Sequence, residues 1–181
     1  MKPVTVEKLS KTMSYALRHH PEEFALAVSE SGQVHIKLLA EALSSKLAVE
    51  ITVAEILHVV EQDSKQRFTV TGELIKAAQG HSFPVQLGLV AQVPPATLFH
   101  GTIEAFVPSI MSEGLKAGKR QQVHLSASHE TAVTVGSRRG TPTVLIIEAL
   151  KAHESGIQFF LTENSVWLTD HVPAEFVHSE H

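Results

Sequence analysis

Val93-Pro94-Pro95 divides this chain. Proline fixes φ, lacks an N–H and pushes the residue before it away from helical geometry, so neither a helix nor a central strand runs through such a stretch. The patterns on its two sides differ. Before it, residues 6–17 place Val6, Leu9, Met13 and Leu17 on one helical face, and Pro21 stops that helix soon after Arg18 and His19. Residues 37–45 form a second helix. Thr52 caps a third, with Glu55 in the capping-box position. Arg67-Phe-Thr-Val-Thr, a turn at Gly72, and Leu74-Ile-Lys-Ala-Ala then predict a hairpin. Three helices followed by a two-stranded ribbon is the outline of a winged helix, which serves nucleic-acid binders and protein scaffolds alike.

After the prolines, strands dominate. They are expected at 98–102, 123–126, 143–147, 158–161 and 166–169. Helices are expected at 106–113, closed by Gly114, and at 130–137. The fold class is therefore α+β, with lobes at 1–92 and 96–181 and a cleft expected between them. No internal repeat or low-complexity tract interrupts either lobe.

Composition removes several function classes. The 181 residues contain no cysteine, which excludes disulfides, thiolate metal sites and a cysteine nucleophile. No apolar run is long enough to span a bilayer, and the N-terminus lacks a signal-peptide pattern, so the expectation is a cytoplasmic protein without membrane contact. The net charge is −4, with 9 basic and 10 acidic residues up to residue 95 and 6 and 9 beyond it. Neither lobe offers a broad basic surface, so any contact with nucleic acid must be local.

The common signatures are missing too: no P-loop, no dinucleotide G-x-G-x-x-G and no G-x-S-x-G elbow. The twelve histidines include His124 and His129, five apart, without the carboxylate that would complete a metal site; no metal is expected.

What remains is arginine beside histidine. Arg18-His19-His20 ends the first helix, where cations also serve simply to offset the helix dipole. Lys65-Gln66-Arg67 opens a strand, whose end is equally suited to plain solvation, and Arg138-Arg139 follows a short helix. Three further segments gather polar groups around glycine or along one strand face. Gln79-Gly80-His81-Ser82 follows a strand. His100-Gly101-Thr102 ends one, where glycine lets a ligand approach the backbone closely. In Val123-His124-Leu125-Ser126, alternation puts His124 and Ser126 on one face; a buried, satisfied core histidine is the plainer reading of His124.

In order along the chain, L-S-K-x-M-S-Y-A-L-R-H (9–19), D-S-K-Q-R-F (63–68), Q-G-H-S (79–82), H-G-T (100–102), V-H-L-S (123–126), V-G-S-R-R-G (135–140) and V-W-L-T (166–169) resemble the tRNA 2'-phosphotransferase family. The resemblance implies a winged-helix lobe followed by a lobe similar to ADP-ribosyltransferases. It implies NAD as a consumed co-substrate, 2'-phosphorylated RNA of the kind left by tRNA splicing as the other substrate, no metal, and no obligate protein partner. It further implies that Arg18, His19, Arg67 and Arg138 handle the RNA phosphate in the cleft, with Lys65, Gln79, His81, Ser82 and Arg139 around it. The NAD side would comprise His100, Gly101, Thr102, His124, Ser126 and Val166. Val166 stands where many protein-modifying relatives carry glutamate, which argues against modification of protein side chains.

The implied reaction has two steps. The 2'-phosphate attacks the anomeric carbon of the NAD ribose and nicotinamide leaves. The ADP-ribose 2''-hydroxyl then attacks phosphorus, giving 2'-OH RNA and ADP-ribose 1'',2''-cyclic phosphate. A phosphate is already anionic, so no carboxylate base is needed, and arginines can neutralise the charge at phosphorus. Two alternatives stay open: an NAD-dependent ADP-ribosyltransferase acting on terminal nucleic-acid phosphates or small molecules, and a non-enzymatic winged-helix nucleic-acid binder.

Overall fold

The computed structural model describes residues 4–180. Its chain is α+β and divides into two compact units between Gly88 and Leu89. The division falls ahead of the prolines because Gln92 donates its N–H to the Phe159 carbonyl (2.8 Å) and Ala91 bridges Phe160, which ties this stretch to the second unit.

The first unit holds helices α1 (Val6–Arg18), α2 (Ile36–Leu47) and α3 (Val53–Gln62) and an antiparallel sheet. The sheet runs β1 (Gln33–His35), β3 (Leu74–Ala77), β2 (Phe68–Thr71). Thr5 and Thr52 cap α1 and α3, the latter with the full reciprocal capping box to Glu55 expected from the sequence. α1 buries Leu9, Met13, Ala16 and Leu17, which join Leu39, Leu43, Ile56, Val59 and Ile75 in one core. Each of the leucine, isoleucine, valine and methionine side chains contributes about 1.5–3 kcal/mol on burial. Sequence periodicity does not reveal β1, since three residues are too few to show alternation.

The second unit carries β4 (Leu98–Ile103), α4 (Val107–Glu113), β5 (Leu115–Lys116), β6 (Val123–Leu125), α5 (His129–Gly136), β7 (Pro142–Ile147), α6 (Ala149–Glu154), β8 (Phe160–Leu161), β9 (Trp167–Thr169), β10 (His171–Val172) and β11 (Val177–Ser179). Its strands pair as β11-β7-β4, β6-β9-β8 and β10-β5, all antiparallel. Phe99 and Ser126 exchange both backbone hydrogen bonds (2.9 and 2.8 Å), which stitches β4 to the end of β6. Leu98, Leu125, Leu145, Ile147 and Phe159 centre the core.

Two local expectations change. The segment expected to be a strand over 158–161 pairs only at Phe160–Leu161. The H-G-T segment, expected to end its strand, lies inside β4, which continues to Ile103. The close backbone approach expected at Gly101 is real, and the backbone that approaches is the protein's own. A Cβ there would stand 1.9 Å from the Ala132 carbonyl oxygen of α5, and one at Gly136 would stand 2.9 Å from that of Thr102. The two glycines let α5 lie directly on β4.

Candidate functional site

In the first unit, α1 ends on Arg18 and His19, and the chain returns twice to meet them. Arg18 donates from its guanidinium to the Arg67 carbonyl (3.3 Å). Ser82 donates its N–H to the Arg18 carbonyl (2.9 Å), and its hydroxyl lies 3.2 Å from His19 Nδ1. Arg18, His19, Arg67, His81 and Ser82, separated by up to 64 positions, therefore share one neighbourhood. Gln79 precedes it on the same loop. Lys65 is exposed and donates its N–H to Asp63 Oδ1 (3.3 Å).

The arginine at the strand entrance is held from below. Asp63, whose side chain is only 5 % exposed, accepts the Arg67 backbone N–H (2.6 Å) and its guanidinium, while the Arg67 side chain stays 32 % exposed. A charge-assisted pair with one partner buried and one open orients the arginine without consuming all of its donors. The sequence reading missed Asp63. Its signal was the spacing of four before Arg67, just past a helix end.

His81 is 2 % exposed, with no partner at Nε2 among the described residues. Burial pushes its pKa down to about 4, and Arg18, His19 and Lys76 press it in the same direction. It is a neutral imidazole at physiological pH, packed edge-on to Phe83. His81 thus lies beneath the surface of this cluster, and Ser82 is the exposed member of the pair.

The second unit assembles the other group. His100 Nδ1 lies 3.1 Å from the His124 carbonyl, and His124 Nδ1 lies 2.9 Å from the Gln122 carbonyl. A carbonyl oxygen only accepts, so both Nδ1 atoms carry the proton, and each ring when neutral has its acceptor at Nε2. Desolvation lowers the His100 pKa; the bond to His124 opposes this, and the charges of Arg139 and Arg120 add to the lowering. Ser126 follows β6 on the side where it bridges Phe99. Val166 leads into β9, its N–H donated to Thr162 Oγ1 (2.9 Å) and its carbonyl accepting from that hydroxyl (3.0 Å). Thr102 is only 2 % exposed, which leaves it the least open of the H-G-T residues.

Arg138 and Arg139 follow α5 and are exposed. They meet a third arginine that the sequence reading passed over. Arg120 has its pKa lowered by desolvation first, then by Arg139 and Arg138. An arginine held where two others oppose its charge is an arrangement that an anion would reward. Arg120 and Arg139, not Arg138, are the two that act on His100. The missed signal was Arg120 three residues ahead of V-H-L-S.

Among the described residues, no group of three or more histidine or carboxylate side chains converges as a metal seat. No helix among them is long and apolar enough to cross a membrane.

Residues 5–171 match the family model described as RNA 2'-phosphotransferase, Tpt1 / KptA family. A protein of Rhizobium rhizogenes named "Probable RNA 2'-phosphotransferase" is 44% identical over 171 residues, covering 94% of this chain and 91% of its own. One of the same name from Acaryochloris marina is 46% identical over 176 residues, covering 94% and 95%. A third, from Streptomyces coelicolor, is 43% identical over 170 residues, covering 94% and 93%. With identity sustained over nearly its whole length, the chain belongs to the RNA 2'-phosphotransferase family.

Proposed function

We propose that the protein removes a 2'-phosphate from RNA by transferring it to NAD. The observation that carries this reading, beside family membership, is the division of side chains between the units. One unit gathers Arg18, His19 and Arg67 at a single point, a set suited to a phosphate. The other links His100 and His124 through a backbone hydrogen bond and brings Arg120 and Arg139 to bear on His100, a set suited to ribose hydroxyls and a pyrophosphate.

In the first step a 2'-phosphate oxygen bonds to the ribose anomeric carbon, while the bond to nicotinamide breaks and its electron pair leaves with the base. The phosphate is its own nucleophile, so the protein's task is to hold both partners still. His100 and His124 accept from ribose hydroxyls through Nε2, Ser126 stands beside them, and Gly101 and Val166 form adjoining wall. In the second step the 2''-hydroxyl gives up its proton and attacks phosphorus. The bond from phosphorus to the RNA 2'-oxygen breaks, and that oxygen takes a proton. Arg67 and Arg18 stabilise the charge gathering on the non-bridging oxygens. His19 handles the leaving oxygen, imidazole being the side chain best suited to passing protons near neutral pH. Lys65 and Gln79 add contacts to the RNA. Among the arginines of the second unit, we assign the phosphate-binding role first to Arg120 and Arg139, which share the surroundings of His100, and next to Arg138.

A non-enzymatic winged-helix binder fits poorly. α3, the helix such a protein would lay in a major groove, carries Glu55 and Glu61 and has no lysine or arginine. ADP-ribosylation of terminal phosphates is separated by its product. The test is incubation with NAD and a 2'-phosphorylated oligonucleotide in EDTA. Nicotinamide, 2'-OH RNA and the cyclic phosphate should appear together. Stable ADP-ribosylated RNA as the end product, or phosphate release without NAD, would refute the proposal.

A further inference from the structure

The surface of α1 that leads to Arg18 and His19 is not flat. A groove of about 740 Å³ follows it, walled on the other side by the end of α3 and the loop after it. Ser10, Ser14 and Arg18 line it at intervals of four residues, facing Gln62, Asp63, Ser64 and Arg67. Four helical residues advance about 6 Å, so these three polar groups form a straight file roughly 12 Å long.

The hydroxyls in this file are unusual for helical serines. Thr12 on the same helix donates back to the Lys8 carbonyl (2.9 Å), as Ser44 does to Ala40 (2.7 Å) and Thr134 to Glu130 (3.0 Å). Ser10 and Ser14 make no such bond and have no side-chain partner among the described residues, although both are half-buried in the groove. Ser64 opposite is likewise uncommitted. The charges of the groove are mostly settled: Lys11 pairs with Glu7 (2.6 Å), and Asp63 with Arg67. The far end is therefore neutral overall and hydroxyl-lined, and the guanidiniums of Arg18 and Arg67 stand at the other end.

We propose that this groove seats the ribose–phosphate backbone of the one or two nucleotides next to the 2'-phosphate. The proposal rests on the reading of the protein as an RNA 2'-phosphotransferase and adds the path of the RNA strand. Serine hydroxyls donate to backbone phosphate oxygens and accept from ribose 2'-hydroxyls, contacts that position a strand without reading its sequence. Because the Lys11–Glu7 pair leaves the far end without net positive charge, a longer strand gains little there. The footprint is short, which accounts for RNA recognition by a chain of net charge −4.

The experiment measures binding by the full chain without NAD. Its probes are a 2'-phosphorylated mononucleotide and a pentanucleotide with a central 2'-phosphate. Wild type should hold the pentanucleotide about tenfold more tightly, with little added by still longer RNA. In Ser10→Glu/Ser14→Glu, repulsion should reduce that gain to about twofold while mononucleotide affinity stays within about twofold of wild type. Ser10→Ala/Ser14→Ala, which raises no question of repulsion or folding, should lose about three- to fivefold on the pentanucleotide alone. An unchanged length gain in both variants, or equal loss on both probes, would overturn the groove assignment. Nicotinamide release by wild type is scored separately: its absence would sink the reaction, while the length dependence would still decide the groove.

Discussion

Asp63 grips Arg67 at both ends, one carboxylate oxygen on the backbone N–H and the other on the guanidinium. The carboxylate is buried and its partner partly open, so the pair acts as a mount that leaves the arginine accessible. Asp63→Ala strips the mount and leaves Arg67 in place. It should cost about 1–3 kcal/mol in stability, read from the denaturant midpoint. It should also raise KM for 2'-phosphorylated RNA by about tenfold through loss of orientation. Asp63→Asn, which keeps one acceptor, should recover part of both. Wild-type stability and KM in Asp63→Ala would show that Arg67 needs no mount.

His81 predicts a pH dependence with a definite sign. Its folded pKa of about 4 lies below the ordinary value of 6.5, so the unfolded chain binds the proton more readily. Stability from this group is complete above about pH 6.5 and is lost as pH falls toward 4. The full loss is about 3 kcal/mol, since each tenfold difference in proton affinity between the folded and unfolded chain is worth about 1.4 kcal/mol. Comparing denaturant midpoints at about pH 7 and pH 5 tests this. Wild type should weaken more than His81→Gln over that interval, and parallel losses would mean the histidine does not carry the effect.

In the proposed reaction charge at phosphorus builds mainly in the second step, so the two steps should part under mutation. Removing a donor aimed at developing charge typically costs about 10²–10³ in rate. Arg67→Ala should slow the second step more than the first, and ADP-ribosylated RNA should accumulate as a slower band on a denaturing gel. Among the arginines near His100, Arg120→Ala should lower turnover more than Arg138→Ala does. Equal loss of nicotinamide release and RNA repair in Arg67→Ala, with no intermediate, would confine that arginine to binding. A larger loss in Arg138→Ala would reverse the assignment between the two.

Gly101→Ala tests packing directly. A methyl group 1.9 Å from the Ala132 carbonyl oxygen cannot be accommodated without lifting α5 from the sheet. The cost should be about 3 kcal/mol or more, visible as a markedly lower Tm. Gly72→Ala meets nothing within 4 Å and bears only the strain of its positive φ (60°), so it should cost about 1–2 kcal/mol. A Tm for Gly101→Ala equal to wild type would rule out the close approach.

The elements that sequence alone revealed are those with long periodic patterns or a strong local signal. α1 showed four apolar residues on one face, and α3 its Thr52–Glu55 capping box. β1, β5 and β10, two or three residues each, were invisible because their residues are selected by pairing across the sheet and not by local alternation. The same divide runs through the candidate site. Arg18, His19, Arg67 and Ser82 were singled out by motif, and the structure brings them together. Asp63 and Arg120 were missed because their importance lies in what surrounds them: a buried carboxylate under one arginine, and two more arginines beside another. Gly101 was noticed for close backbone approach, and the structure shows α5 as a neighbour that makes it. A sequence shows that a backbone must be approached closely, but not by what.

The contact between Gly101 and Gly136 reaches beyond its own packing. Arg138 and Arg139 begin two residues after Gly136, and His100 precedes Gly101. The seam thus works like a datum edge in a machined part, from which the imidazole on one side and the arginines on the other are both measured. Any side chain added at the seam displaces the two together. Tolerances of roughly 0.5 Å decide whether positioned groups function, so two hydrogen atoms in place of methyl groups set the accuracy with which His100 and these arginines are placed. Attempts to re-tune the protein toward other phosphate-bearing substrates should therefore alter the arginines and leave this reference line untouched.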